Sequence, residues 1–208
     1  MGNMKAPYIA KWSACTRCPL HENARQHVVM RGSIPAEVLF VGEAPGKTEN
    51  KLGRPFVGRS GTVLNSMLDD VGLTTGYCIT NIICCIPWGI NRNWGRGEDV
   101  VRKPTRAEAD ACLPHLHELL DLCAPKLVIA LGSEAVRYLP AKAVHNALGS
   151  HVEYLHLLHP AYILRKGGIV SLEYKRDRMK LHKALSSLGL IKSTRSESMP
   201  EVPYSQVN

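Results

Sequence analysis

Apolar residues along the chain fall into two patterns. Four short runs, at residues 37–42, 77–83, 126–131 and 152–158, are rich in Val, Ile and Leu and have strand length. Between them, apolar residues recur at helical spacing. Leu64, Met67 and Leu68 predict a helix over residues 60–71. Thr105, with Glu108 three residues on, reads as a capping box opening a helix to about residue 123. A short helix is predicted over 133–139, capped by the Gly132-Ser133 step, and a last helix over 172–188. Residues 1–14 read as a short leader. Residues 15–19 read as a tight turn opening a helical stretch to about residue 26. Residues 42–61 form a Gly/Pro-rich loop and residues 86–104 a long polar one. Residues 192–208, with four Ser and two Pro, read as a flexible tail. Strands alternating with helices predict an α/β fold, a three-layer α/β/α sandwich around a central four-stranded parallel sheet. One domain is expected over residues 1–191.

A parallel sheet binds ligands at the carboxyl ends of its strands. Three of the four predicted strands end in unusual chemistry: Gly42-Glu-Ala-Pro-Gly46 after the first, Asn81 within the second, and His159-Pro160 after the last. A carboxylate at a strand end, Glu43, suits orienting or activating a water, and equally suits a loop cap. Asn81 interrupts an apolar strand, and a buried amide needs partners. Its donor and acceptor match the O4 and N3–H edge of uracil, the reverse of cytosine's pattern. His159 suits a hydrogen bond to a base that is gaining negative charge, or a satisfied core histidine; the same bland reading is preferred for His156. In the loop of residues 53–61, glycines permit close approach of backbone N–H groups to a phosphate, and Arg54 and Arg59 add charge. Phe56 there either stacks on a base or anchors the loop in the core.

Composition narrows the class. Lys plus Arg outnumber Asp plus Glu by 26 to 18, a formal charge of +8, which favours an anionic partner such as nucleic acid. No apolar run is long enough to span a bilayer and the N-terminus lacks a signal layout, so an intracellular protein is expected. The seven cysteines are an odd number, which argues against a disulfide framework. Cys15 and Cys18 have the spacing of a metal-binding pair; two further thiolates would complete a four-sulfur site for iron–sulfur or for zinc. Cys84 and Cys85 are adjacent, and if the second strand stays extended through them only one faces that site. Cys78 and Cys123 read as small buried hydrophobes.

Taken in order, Cys15-x-x-Cys18-Pro-Leu, Gly42-Glu-Ala-Pro-Gly46, Gly53-Arg-Pro-Phe-Val-Gly-Arg-Ser-Gly61, Thr80-Asn-Ile-Ile-Cys-Cys85, Cys112 and His159-Pro-Ala-Tyr-Ile-Leu-Arg165 resemble the family 4, iron–sulfur, uracil-DNA glycosylases. The resemblance covers about residues 12–188. It implies a uracil-DNA glycosylase-like fold with an N-terminal cluster-binding segment. It implies a 4Fe-4S cluster on Cys15, Cys18, Cys85 and Cys112. It implies uracil-containing DNA as substrate, cut at the N-glycosidic bond to leave an abasic site in base excision repair. Glu43 and His159 are the implied catalytic residues. Ala44, Glu49, Phe56 and Asn81 are the implied substrate contacts, with Glu49 guarding the uracil 5-position. Arg54, Arg59 and Arg165 are the implied DNA contacts, and residues 161–166 match the loop that wedges into DNA. With no lysine standing in for an attacking amine, a monofunctional, monomeric enzyme is expected.

The main departure is the 26-residue segment between Cys85 and Cys112, which holds Trp88, Arg92, Trp94, Arg96 and Arg102. Aromatic and Arg interleaving suits stacking and phosphate contact; a cover over the cluster, or a mobile insertion, suits the same residues equally. It puts the ordinary substrate preference in question, in favour of a modified pyrimidine or a partner; a rival reading of the whole chain is a non-catalytic module that keeps the fold and cluster and binds DNA or a partner. A zinc-stabilised enzyme of other chemistry is another.

Overall fold

The computed structural model describes residues 4–91 and 98–191. Helix α1 (Lys5–Ser13) and the one-turn α2 (Leu20–Asn23) flank the Cys15–Cys18 turn. The chain then runs β1 (Arg31–Gly32), β2 (Val38–Gly42), α3 (Lys47–Leu52), α4 (Arg59–Asp70) and β3 (Tyr77–Asn81). A hairpin follows, β4 (Trp88–Asn91) and β5 (Glu98–Val101). Next come α5 (Arg106–Cys123), β6 (Leu127–Leu131), α6 (Ser133–Tyr138), α7 (Ala141–Leu148), β7 (Glu153–Leu157), α8 (Pro160–Arg165) and α9 (Leu172–Ser187).

The main sheet has the order β1-β3-β2-β6-β7. Its last four strands are parallel, as expected. A fifth strand, β1, pairs antiparallel with β3 through Arg31↔Ile79 and Gly32↔Cys78, so the sheet is mixed rather than wholly parallel. Two residues are too few to show a period of two in the sequence. The inner strands β2 and β6 are buried on both faces, which is why they read as continuous apolar runs. Alternation along them separates two cores. Leu39, Val41, Cys78 and Val128 pack with Tyr8 and Trp12 of α1, with α5 and with Val144 of α7. Val38, Phe40, Ile79, Leu127 and Ile129 pack with α4, α8 and α9. Helices therefore cover both faces, the three layers the pattern predicts.

Local signals explain most boundaries. Thr105 accepts from the Glu108 N–H while the Glu108 carboxylate accepts from the Thr105 N–H, so the capping box forms. In α4, Leu64, Met67 and Leu68 are all buried, each contributing about 1.5–3 kcal/mol relative to exposure.

Several expectations are corrected. The leader of residues 1–14 is mostly α1, held because Tyr8 and Trp12 are buried against α5. The helix expected after Cys15 shrinks to the four residues of α2. Helix α3 lies inside the loop predicted over residues 42–61, and α7 lies between the predicted helix over 133–139 and the predicted strand over 152–158, where no element was expected. Strand β3 ends at Asn81, and residues 82–85 are irregular, with bends at Ile82, Cys84 and Cys85, so the opposite-face argument for Cys84 and Cys85 does not apply. The loop of residues 86–104 contains the β4–β5 hairpin, with Trp88 paired to Val101. Arg92, Trp94, Arg96 and the tail of residues 192–208 lie outside the described residues. His156 is exposed on the edge strand β7 rather than in the core.

Candidate active site and thiol pocket

The parallel register places Gly42 beside Asn81 at the carboxyl ends of β2 and β3. Beyond the strands, the Ile82 and Ile83 N–H groups donate to the Gly42 and Glu43 carbonyls at 2.8 and 3.2 Å. These bonds hold Glu43 against the Asn81 loop. Phe56 adopts a left-handed backbone, φ 53°, at a cost of order 1–3 kcal/mol that the surroundings must override. Two glycines make room for it. A Cβ on Gly61 would lie 2.0 Å from the Phe56 carbonyl oxygen, and one on Gly42 would lie 2.5 Å from both Asn81 Oδ1 and Phe56 Cζ. Gly132, at φ +88°, likewise gives way to His159, whose Cβ would be 2.8 Å from an added methyl.

Six of the expected residues, Glu43, Ala44, Glu49, Phe56, Asn81 and His159, line one cavity of about 350 Å³, within the range of small-molecule sites. Asn81 is 1 % exposed, and its Oδ1 is buried without a partner among the described residues. The His159 and Phe56 rings lie 5.9 Å apart, tilted by 38°. His159 caps α8: its Nδ1 accepts from the Ala161 N–H at 3.1 Å. Nδ1 is therefore unprotonated and Nε2 carries the proton. Burial, helped by the Arg165 charge, pushes the imidazole down to about 4, so the ring is neutral at physiological pH. Burial and then the Glu134 carboxylate push Glu43 above the usual carboxylate range, while Lys103 pulls it back.

Glu49 lines the cavity, but its Oε1 also accepts from the Val57 and Gly58 N–H groups at 3.0 and 2.7 Å. It thus braces the Phe56 loop. Arg59 and Arg165 border a neighbouring open groove with Lys47, Thr48 and Ser60. Arg54 is exposed and lines neither depression; it sits near enough to Arg31 to depress that guanidinium, a smaller effect than burial.

All seven cysteines are free thiols. Cys15, Cys18, Cys85 and Cys112 line one enclosed cavity, together with Cys84. Burial and then the neighbouring thiols push Cys85 up to about 12; burial chiefly raises Cys18 as well. Thiols this crowded do not ionise together without a cation among them, so the donor set suits a metal group. A tighter trio, Cys84, Cys112 and His115, has its ligand atoms within 4.8 Å of one another. His115 is fully buried, with Nδ1 at 3.1 Å from the Cys112 carbonyl and Nε2 without a partner among the described residues. Cys78 and Cys123 are buried apart from this set, as expected.

The family model described as Uracil DNA glycosylase superfamily matches residues 29–182. A type-4 uracil-DNA glycosylase of Pyrobaculum aerophilum is 33% identical over 179 residues, covering 78% of this chain and 85% of the relative. One of Thermotoga maritima is 33% identical over 161 residues, 73% and 78% of the two chains. One of Archaeoglobus fulgidus is 30% identical over 184 residues, 81% and 86%. The chain belongs to the type-4 uracil-DNA glycosylase family.

The segment between Cys85 and Cys112, which carries no predicted site residue, also lines the cavity, through Val101 at the end of the hairpin and the Arg102 and Lys103 that follow it. In the sequence Arg102 is one member of a basic, aromatic-rich stretch, and nothing local tells where such a stretch lies. Lys103 brings an amine to the pocket wall after all, but Glu134 holds it as a charged ammonium, which is no nucleophile. His115 carried no signal beyond its spacing of three from Cys112. No described helix is long and apolar enough to cross a membrane.

Proposed function

We propose that this chain excises uracil from DNA by hydrolysing the bond between base N1 and sugar C1′, leaving an abasic site. The observation that carries the reading is the buried Oδ1 of Asn81, without a partner among the described residues, on the cavity wall beside Phe56. An unsatisfied buried acceptor costs about 1–3 kcal/mol. Uracil N3–H satisfies it, and the same amide donates to O4; cytosine offers an acceptor at N3 and leaves Oδ1 orphaned. Phe56 stacks on the extruded ring. The glycosidic electron pair leaves with N1, and the neutral His159 donates from Nε2–H to O2 as charge accumulates there. Glu43 orients the water that bonds to C1′ and takes up its proton. Ala44 and Glu49 form the wall that excludes a 5-methyl group, with Glu49 held rigid by its two backbone donors.

Arg59, Arg165 and the groove between them hold backbone phosphates, and residues 161–166 enter the space the base vacates. Cys15, Cys18, Cys85 and Cys112 hold a 4Fe-4S cluster, which ties the N-terminal helices to the loop beyond Asn81 and takes no part in the hydrolysis. The chain acts as a monomer.

The test is incubation of purified, metal-loaded protein with single-stranded and duplex oligonucleotides carrying one uracil, then alkali. Alkali-dependent cleavage at uracil, with cytosine and thymine controls intact, is expected. An intact uracil strand, from protein with full metal content, would leave a binding module only. Brown protein with bound iron supports the cluster. Colourless protein with one zinc ion would favour the Cys84, Cys112 and His115 trio instead, whose close spacing suits a single ion.

A further inference from the structure

The segment between Cys85 and Cys112 supplies part of the pocket wall, and its geometry is tightly fixed. Arg102 donates from Nε to the Trp88 carbonyl at 3.0 Å and from Nη1 to the Lys103 carbonyl at 3.0 Å. It also grips both oxygens of Glu108, at 2.8 and 2.6 Å. Trp88 is anchored in turn: its indole N–H donates to the Asn23 carbonyl at 3.2 Å, and Lys47 lies 5.6 Å over its ring. This framework sets the backbone of Lys103 at the mouth of the cavity. The Lys103 ammonium meets Glu134 Oε1 at 2.5 Å. Glu134 belongs to the first turn of α6, and its side chain is only 13% exposed.

We propose that Lys103 and Glu134 form a positioning pair for Glu43, placing two opposite charges beside the carboxylate so that neither dominates it. The inference rests on the glycosylase reading. Lys103 and Glu43 line the same cavity, and α6, which carries Glu134, packs against β2, the strand that ends at the residue before Glu43; in keeping with that placement, Glu134 adds to burial in raising the Glu43 carboxyl and Lys103 opposes them. The other charged or titratable groups at the cavity are committed elsewhere. Arg102 is bound to Glu108, Glu49 to the Val57 and Gly58 N–H groups, and His159 is neutral. Arg137 approaches the far oxygen of Glu134 at 3.8 Å and leaves Oε1 to Lys103. Removing one member of the pair therefore exposes Glu43 to the other's uncompensated charge.

The signs follow. Lys103→Met leaves Glu134 unopposed, so Glu43 holds its proton to higher pH. Glu134→Gln leaves Lys103 unopposed, so Glu43 loses its proton at lower pH. Two readouts apply to metal-loaded protein: the Glu43 side-chain carboxyl titration by carbon-13 NMR in free enzyme, and the acidic limb of single-turnover excision. Opposite shifts for the two variants, upward for Lys103→Met and downward for Glu134→Gln, with Lys103→Arg close to the unmodified protein, are expected in both. Unmoved titrations, or shifts of the same sign, overturn the pair. So does a Lys103→Met variant whose only change is weaker DNA binding with a salt slope smaller by about one, the mark of a phosphate contact. If the unmodified protein excises nothing, the functional reading fails, while the carboxyl titration still decides whether the pair acts on Glu43.

Discussion

Gly42 has almost no room around it. Its Cα faces the Asn81 amide and the Phe56 ring so closely that one methyl group would overlap both. Gly42→Ala is expected to push these two groups out of register and lower single-turnover excision by roughly 10²-fold, the scale of an ångström-sized misplacement, while metal content stays normal. Near-normal excision by that variant would mean the pocket floor tolerates far more movement than its packing implies. The residues that matter here were legible because their types are out of place: an amide in an apolar strand, a phenylalanine in a polar loop, a carboxylate and an imidazole at strand ends. Glu49 was legible only as a pocket residue. Its bonds to Val57 and Gly58 depend on how the loop folds back, which no local pattern encodes. His115 was invisible for the same reason: its neighbours Cys84 and Trp12 are distant in sequence and meet only through packing.

Elements with a strong period or cap were read almost to their ends, and those lacking both were not. The α5 start shows the difference. Thr105 and Glu108 announce the helix, but the same Glu108 also grips Arg102 and thereby fastens the hairpin to α5. The Arg102 guanidinium, aided by the cap, holds the Glu108 carboxyl down to about 2. A depressed carboxylate contributes stability above its unfolded value that is lost as pH falls toward the folded one. Glu108→Gln should therefore cost about 1–2 kcal/mol at neutral pH, allowing for solvent screening, and the deficit should shrink between about pH 4.5 and pH 2. Chemical denaturation across that range measures it; a constant deficit would assign the loss to packing rather than charge. The hairpin itself was hidden because its strands are only four residues each and sit in a stretch rich in Gly, Arg and Asn. Strand β1 was hidden because it is two residues long, and α3 because a six-residue helix shows barely two turns of pattern.

At the scale of the molecule, the sheet divides the work. One core, under α1 and α5, carries the thiol pocket, and the carboxyl edge carries the cavity lined by Glu43, Phe56, Asn81 and His159; the loop from Asn81 to Cys85 joins them. Cys85→Ala is expected to abolish iron retention and lower thermal stability, whereas Cys84→Ala should keep iron, as quantified by metal analysis. The reverse pattern would make Cys84 the ligand and move the group toward His115. The alternation of strands and helices made the three layers legible, and the ordered motifs made the site legible. How the 86–104 segment closes the pocket was not, because that depends on long-range contacts to Asn23, Lys47 and Glu134. The account stands on Asn81 reading an extruded base, and one comparison tests that most directly: single-turnover excision by Asn81→Ala, with DNA affinity measured on the same uracil oligonucleotide. Excision lower by about 10²- to 10³-fold, with affinity nearly unchanged, is the expected result. Excision near that of the unmodified protein would contradict the account, because the buried amide would then not be what recognises the base.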